Sequence, residues 1–386
     1  AEYEEKDSWV DLMKNKAQTV FGTIEADLAP DTLLTLGFSR QENNTKSPMW
    51  GGLPVWYSDG TRTDFGRSKT TSANWSRWDA VYENYFAKLE HRFGNGWKVL
   101  GTYSYGERNG DSYLLYLSGF QNRTTGLGLS ASGGSYLTFT RQNDLSLNVS
   151  GPFEMAGRTH ELAAGYIYSE QKFNSYMRGY LPTPSASFNT WNGTVAPPNW
   201  TAPTYYQDDT TTQQSLYGVA RFNLADPLKL IVGSRITNYD KSGNLYTLAQ
   251  PYQAIKVDHK VTPYVGLIYD INQNYSLYAS YTDIFQPQTE TTIGGSYLKP
   301  IVGKSAEAGV KGEFFGGRLN GSFAVFNIKQ DNLAQAAGTI AGRTYYTEAD
   351  GATSDGFEFD LSGELAPGWN ASAGYTQFKA TKADGT

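Results

Sequence analysis

The sequence predicts an all-β protein: an antiparallel transmembrane β-barrel, or a portion of one, with about fourteen strands. Three observations predict it. Apolar and polar residues alternate with period two over runs of about ten residues. Short turns alternate with long polar, aromatic segments. The composition is rich in Tyr (28) and Gly (41), 15% aromatic and only 18% charged, which is too aromatic for a disordered chain.

The alternation is clearest in four places. Val20, Gly22, Ile24, Ala26 and Leu28 interleave with Thr23, Glu25 and Asp27. Leu145, Leu147 and Val149 interleave with Asp144, Ser146, Asn148 and Ser150. Leu216, Gly218, Ala220, Phe222 and Leu224 alternate with a set that includes Arg221 and Asn223. Phe357, Phe359, Leu361 and Leu365 interleave with Glu358, Asp360, Ser362 and Glu364. Successive side chains of a strand point to opposite faces, so each run has one apolar and one polar face. Two stretches are irregular. Pro263 removes a ladder donor inside a strand. Phe326 and Ile328 break the phase of Leu319, Phe323 and Val325, which predicts a bulge or an apolar patch on the inner wall.

Short turns fall at 29–32, 94–96, 225–227, 271–274, 316–317 and 366–368, with a slightly longer one at 152–159. Long segments fall at 43–80, 106–134, 173–213, 240–256, 286–303 and 331–353. That gives about seven hairpins with short turns at one end and long loops at the other. Strands of ~9–11 residues suit a tilted bilayer crossing. A soluble propeller or sandwich also alternates, but rarely places all its long loops at one end of charged inner faces.

Composition excludes several classes. With 32 basic and 38 acidic side chains the formal net charge is -6, so no basic excess meets a nucleic acid. No Cys is present, which removes disulfide scaffolds and thiolate metal sites. No run of ~18 apolar residues forms a membrane helix. The three histidines, His91, His160 and His259, stand apart rather than at metal-ligand spacing, so no metal site is expected. Gly303-Lys304-Ser305 ends like a phosphate-binding loop, but Leu298 occupies the position where that motif needs Gly. No Gly-x-Ser-x-Gly elbow occurs, and no catalytic residues are expected. Inward carboxylates such as Glu25, Glu90, Glu313, Glu358 and Asp360 read as lumen ion pairs, with Lys88, Arg92, Arg221, Arg235 and Lys311 as partners.

The long segments concentrate the aromatics. Trp50, Trp56, Trp75 and Trp78 lie in the first, Trp191 and Trp200 in the third, and Tyr205, Tyr206, Tyr345 and Tyr346 in others. Two readings stay open for such rings. They wall a binding pocket with rigid contact area, or they anchor the barrel at the lipid interface and pack loop on loop. Trp9 and Trp97, near strand ends, fit the anchor reading. Trp50, Trp56 and Trp75 are candidate ligand contacts, with Arg62 and Tyr297 behind them.

Four blocks carry a family resemblance: SPMWGGLPVWYSDGT at 47–61, YSLYASYTDIFQPQ at 275–288, GKSAEAGVKGEFFGGRLNGSFAVFNIKQDNLA at 303–334 and DGFEFDLSGELAPGWNASAGY at 355–375. They resemble TonB-dependent outer-membrane siderophore receptors, in the branch for ferric hydroxamates such as coprogen and for pyoverdines. The resemblance implies a 22-stranded barrel filled by an N-terminal plug. Residues 1–386 would then be a partial β-barrel domain, with the plug, TonB box and terminal strands missing. Residues 4–7 would open in an extracellular loop, and Thr386 would end in a loop after a strand. It adds Leu53 and Tyr57 to Trp50 as the wall of a ligand pocket. It implies a bacterial outer-membrane receptor and transporter that binds a ferric siderophore in its extracellular loops for TonB-energised import. Iron would arrive through the siderophore, with no intrinsic cofactor. The implied partners are TonB-ExbB-ExbD, acting through the missing N-terminal region, and outer-membrane lipid and lipopolysaccharide; a monomer and no enzymatic activity are expected. The alternatives are a passive porin, or a TonB-dependent importer of a carbohydrate or cobalamin.

Overall fold

The computed structural model describes residues 1–179, 186–246, 254–340 and 343–382. Its strands in chain order are β1 (Glu2–Asp7), β2 (Lys14–Ala29), β3 (Thr32–Lys46), β4 (Arg77–Arg92), β5 (Lys98–Gly119), β6 (Leu129–Met155), β7 (Arg158–Arg178), β8 (Thr204–Asn223) and β9 (Leu228–Leu245). They continue with β10 (Ile255–Asp270), β11 (Tyr275–Gln286), β12 (Ile301–Phe314), β13 (Leu319–Asp331), β14 (Leu333–Ile340), β15 (Arg343–Ala349), β16 (Ala352–Ala366) and β17 (Trp369–Thr381). Fifteen form one antiparallel sheet in sequence order, while β14 and β15 pair as a separate hairpin.

All seven predicted short turns join strands at one end of this sheet, and all the long connections lie at the other. The 152–159 turn is tighter than expected. Met155 pairs with Arg158, and only Ala156 and Gly157 lie between them, at φ 53° and 72°. Positive φ at both central residues is what lets a two-residue turn follow the right-handed strand twist.

The sheet inverts the usual burial pattern. Leu34, Leu89, Gly101, Leu147, Tyr166, Leu216, Ile236 and Val261 are successive cross-strand partners from β3 to β10. Leu216 is 60% exposed and Ile24, on the same face of β2, 71%. A soluble monomer rarely exposes an apolar patch beyond a few hundred Å²; in a bilayer this face meets acyl chains. One residue along the strands runs the opposite face, Glu25, Thr35, Lys88, Thr102, Ser146, Ile167, Ser215 and Thr237. There Ser215 and Thr237 hydroxyls share a hydrogen bond at 3.0 Å. The polar face is the lumen and the apolar face the lipid side.

Several boundaries differ from the sequence expectation. β5 and β6 run deep into 106–134, so this long loop shrinks to 120–128. β7 and β8 likewise consume both ends of 173–213, and 180–185 and 247–253 of the predicted loops lie outside the described residues. Period two holds in these runs except at Tyr206, an extra residue in β8; their polar residues sit on both faces above the apolar band, where hydropathy no longer alternates. Residues 4–7 are not loop but part of β1, paired with β2 through Glu4↔Ala17 and Asp7↔Lys14. Trp78 is in β4, Tyr205 and Tyr206 in β8, and Tyr345 and Tyr346 in β15 rather than in loops. The predicted bulge at Phe326 and Ile328 is absent: β13 keeps unbroken register with β12 and β16. Both side chains therefore face the lumen, as the other reading of that stretch expected. Pro263 pairs with Ser234 of β9, and the β10–β11 ladder begins one residue later, at Tyr264. Thr386 lies outside the described residues.

Candidate functional site

At the long-loop end three connections knit together: 47–76 between β3 and β4, 120–128 between β5 and β6, and 186–203 before β8. Ser47 N–H to Ser76 carbonyl, at 2.8 Å, closes the base of the first. Ser58 N–H donates to Gln121 carbonyl at 2.9 Å, Phe188 N–H to Gly126 at 2.8 Å, and Asn74 N–H to Gly193 at 2.9 Å. Around these bonds Ala73, Leu115, Leu117, Leu129 and Phe188 are buried as a small core. Phe65 meets Phe188 edge-on at 5.4 Å. The Trp191 indole N–H donates to Ser72 carbonyl at 3.1 Å. Lys69 donates to Trp191 carbonyl at 3.1 Å and stands 4.8 Å over the Phe188 ring. Burial pushes the Lys69 ammonium below the usual lysine range. At the rim, the Thr61 hydroxyl and N–H, at 2.6 and 2.9 Å, hold Asp59 below the usual carboxylate range.

The extended β5–β6 ribbon carries different chemistry on its two faces. On the lumen face, Trp50 meets Tyr116 edge-on at 5.8 Å and Tyr136 at 6.2 Å. Tyr136 meets Tyr206 at 5.8 Å. Tyr206 is the extra residue of a bulge, since Ser175 pairs with Gln207 but Tyr176 with Tyr205. A bulge re-aims one side chain, and here it places Tyr206 against Tyr136. Along the same face, toward the membrane, an open cleft of about 370 Å³ is lined by Tyr82, Asn84, Ser104, Arg108, Gln142 and Gln171, among others. Arg108 is exposed and makes no ion pair with a described residue. On the opposite face, Tyr113 meets Trp200 at 5.3 Å, and Trp200 meets Trp75 at 6.0 Å. The guanidinium groups of Arg77 and Arg178 each lie 4.9 Å from the Tyr113 ring centre. Both bond Asp111, at 2.6 and 3.1 Å.

The residues singled out from sequence are thus divided. Trp50 joins the lumen-side ladder. Leu53 packs on the loop core, and so does Trp75, on the other side of the ribbon from Trp50. Trp56 is 48% exposed and bridges to Arg62 through the backbone, with Arg62 also exposed. Tyr57 stacks edge-on against Phe65 at 6.3 Å, under Arg123 at 5.7 Å. Tyr297 lies on the β11–β12 connection, bridged to Thr291. That connection is tied instead to the β14–β15 hairpin, through Tyr346 N–H to Thr291 carbonyl and the Lys299–Glu348 ion pair at 3.0 Å. Tyr116 was missed because 106–134 reads as loop, and Tyr136 because it lies just past that segment; the even-numbered set Ser112, Leu114, Tyr116 was the signal that could have found the first.

A lipid-faced antiparallel wall with a polar lumen and an aromatic mouth at its long-loop end defines an outer-membrane barrel of the receptor type. The chain belongs to the TonB dependent receptor-like, beta-barrel family, whose pattern it matches over residues 23–386. It is 38% identical over 392 residues to the ferripyoverdine receptor of Pseudomonas aeruginosa, covering 97% of this chain and 47% of that protein. It is 35% identical over 400 residues to the ferric-pyoverdine BN7/BN8 receptor of Pseudomonas putida, covering 100% and 48%. The P. aeruginosa receptor bound to ferripyoverdine superposes with a TM-score of 0.90 at 34% identity, over 100% of this chain and 52% of that one. The chain therefore spans about half the length of the curated relatives it matches. Family and relatives place it in the outer membrane, and the relatives themselves are transport receptors.

Proposed function

We propose that this chain forms much of the barrel wall and several ligand-facing loops of a receptor that binds a ferric siderophore of the pyoverdine or hydroxamate class. Import would be TonB-energised, and residues 1–386 would act as a partial barrel domain of a longer receptor. The observation that carries the reading is the ladder Trp50–Tyr116, Trp50–Tyr136, Tyr136–Tyr206 above the Arg108 cleft on the lumen face. Rigid rings give a large ligand contact area at small entropic cost, and a guanidinium without a carboxylate partner among the described residues suits the acidic groups of a ferric chelate. Iron is cargo here: its ligands come from the siderophore, so binding involves no covalent step and no catalytic residue. Trp50 is the principal contact in this reading. Tyr57, Trp56 and Arg62 border the mouth, Leu53 and Trp75 support it from the loop core, and Tyr297 belongs to a second loop group. Binding can drive transport only by favouring one state of the gate over another; TonB with ExbB-ExbD would supply the pull from outside this chain.

The test is a titration of ferripyoverdine, ferric coprogen and ferrioxamine onto the complete receptor, followed by Trp fluorescence. Saturable quenching by at least one ferric siderophore, lost at least tenfold in affinity in Trp50→Ala, is the expected result, since ~1.4 kcal/mol separates each decade. The absence of quenching with all of them, together with free diffusion of unrelated sugars, would sink the reading.

A further inference from the structure

One seam of the sheet is incomplete. β10 and β11 pair only from Tyr264↔Thr282 down to Asp270↔Ser276, seven rows that end at the short turn between them. Both strands continue upward, β10 from Pro263 back to Ile255 and β11 from Asp283 to Gln286. Each keeps its other neighbour. β10 stays on β9 as far as Ile255↔Lys241, and β11 stays on β12 as far as Gln286↔Ile301. Above Tyr264 the edges of β10 and β11 therefore have no ladder between them. The other ladders of the main sheet from β2 onward each run twelve rows or more.

Two features oppose closure of the upper seam. In a continued ladder Pro263 would lie opposite Asp283. Its ring holds φ at about −65°, short of the strand value, and bends β10 at that row whichever neighbour its N–H would have served. Higher up, Asp258 and His259 form a bulge opposite Asn238. His259 lies at φ 54°, and its N–H donates to the Asn238 side chain at 2.7 Å. A bulge adds further bend and twist.

The bilayer opposes a permanent opening. Seven rows fall short of the ~9–11 residues of a tilted crossing, so the parted stretch begins within the outer leaflet. Lipid leaves open strand edges unsatisfied, and irregular backbone persists at that depth only where water or protein reaches it. Lys260 lies in the lumen row of Thr237, and Thr262 two residues on shares its face, so lumen water reaches the slot. The Thr282 hydroxyl donates to the Asp283 carbonyl at 3.2 Å. Each arrangement thus carries a cost that the other relieves.

We propose that the β10–β11 seam is a hinge in the wall: its upper part alternates between parted and zipped, pivoting on the rows from Tyr264 to Asp270. The seam also divides the mouth. The loop core of 47–76, 120–128 and 186–203 stands on the β1–β10 side. The β11–β12 connection and the β14–β15 hairpin stand on the other. They are tied together by the Gln288 amide, which donates to the Asn332 carbonyl at 2.7 Å, and by the Lys299–Glu348 pair at 3.0 Å. Each group is bound within itself, so motion at the seam sets the width between them. The inference rests on the register of the sheet and not on the identity of the siderophore.

The test uses the complete receptor in phospholipid vesicles, with spin labels on cysteines introduced into this cysteine-free stretch. Val261→Cys with Phe285→Cys reads the upper seam. Val302→Cys with Phe285→Cys reads a row that is paired in the β11–β12 ladder. The paired row should give one short spin–spin distance. The seam should give two, one matching the paired row and one longer. Mild oxidation of a Thr262→Cys, Ile284→Cys pair should form a disulfide that locks the zipped state and slows amide exchange in 260–262 and 283–286 about tenfold. A single short distance would mean a continuous ladder, and a single long one with no disulfide a rigid slot; either overturns the proposal. Folding is judged by heat-modifiable gel mobility. If the labelled variants do not fold, amide exchange in the unsubstituted receptor decides. Residues 260–262 and 283–286 should exchange about tenfold faster than 304–310 of β12, which has ladders on both sides. Equal protection of the two sets overturns the proposal.

Discussion

Trp50 occupies the space that a side chain at Gly134 would need: a Cβ built there would lie 2.6 and 2.7 Å from two carbons of the indole. Gly134 is extended, so its role is close approach and not an unusual backbone angle. Gly134→Ala should therefore leave the ribbon paired and push the indole off Tyr116 and Tyr136. Overpacking costs about 1–3 kcal/mol. The expected outcome is siderophore affinity weakened about tenfold with unchanged heat-modifiable mobility, read from the Trp quenching titration. An unaltered affinity would remove Trp50 from the ligand wall.

The loop core predicts a separable stability. Phe188 is fully buried between Phe65, Trp191 and the Lys69 ammonium. Phe188→Ala should cost about 3–5 kcal/mol locally, enough to open the 47–76 and 186–203 connections while the barrel strands stay paired. Limited proteolysis should then cut within these connections, with the transmembrane strands still protected. Protection identical to wild type would show that the backbone bonds between the loops suffice without the core.

The Glu348 carboxylate ties the β14–β15 hairpin to the neighbouring connection. It accepts the Lys299 N–H at 2.8 Å and the Lys299 ammonium at 3.0 Å, and these donors hold it below the usual carboxylate range. A carboxylate with a depressed folded pKa contributes its stability above the unfolded value, ~4.3 for Glu, and loses it as pH falls through the folded value. Hydrogen exchange in 333–340 and 344–349, corrected for intrinsic rates, should thus be protected at pH 6 and lose protection as pH falls below ~4.3. Glu348→Gln should show the weaker protection at every pH. A pH profile shared by the variant and the wild type would assign the effect to another group.

What was legible in the sequence follows from which forces act locally. The lipid and lumen faces were readable because alternation in runs such as Leu145–Ser150 records directly which solvent each residue meets. The seven short turns were readable because Gly, Pro, Asn and Asp are chosen for local backbone reasons. The upper halves of β5 and β6 were not. Above the bilayer neither face meets lipid, so Ser112, Tyr113, Leu114 and Leu115 show no contrast. Sequence also grouped Trp50 with Trp75, since both are tryptophans of one loop. Only the pairing of Tyr116 and Tyr136 on one face, against Tyr113 on the other, shows that they stand on opposite sides of the ribbon.

The face assignment has its own test in two adjacent residues. Leu147 and Ser146 both sit in β6, opposite Gly101 and Thr102 respectively. Leu147 is 47% exposed within the apolar row, while Ser146 lies in the polar row that ends at Ser215 and Thr237. An arginine on the lipid side near the midplane costs ~2–4 kcal/mol, and a lumen substitution far less. Leu147→Arg should therefore lower the unfolding free energy, read from urea titration in phospholipid vesicles, by that margin. Ser146→Arg should shift it by less than about 1 kcal/mol, because its guanidinium stays among water and polar partners. Equal losses for the two would mean that both faces of β6 are buried in an apolar medium, and the lumen would have to be placed elsewhere.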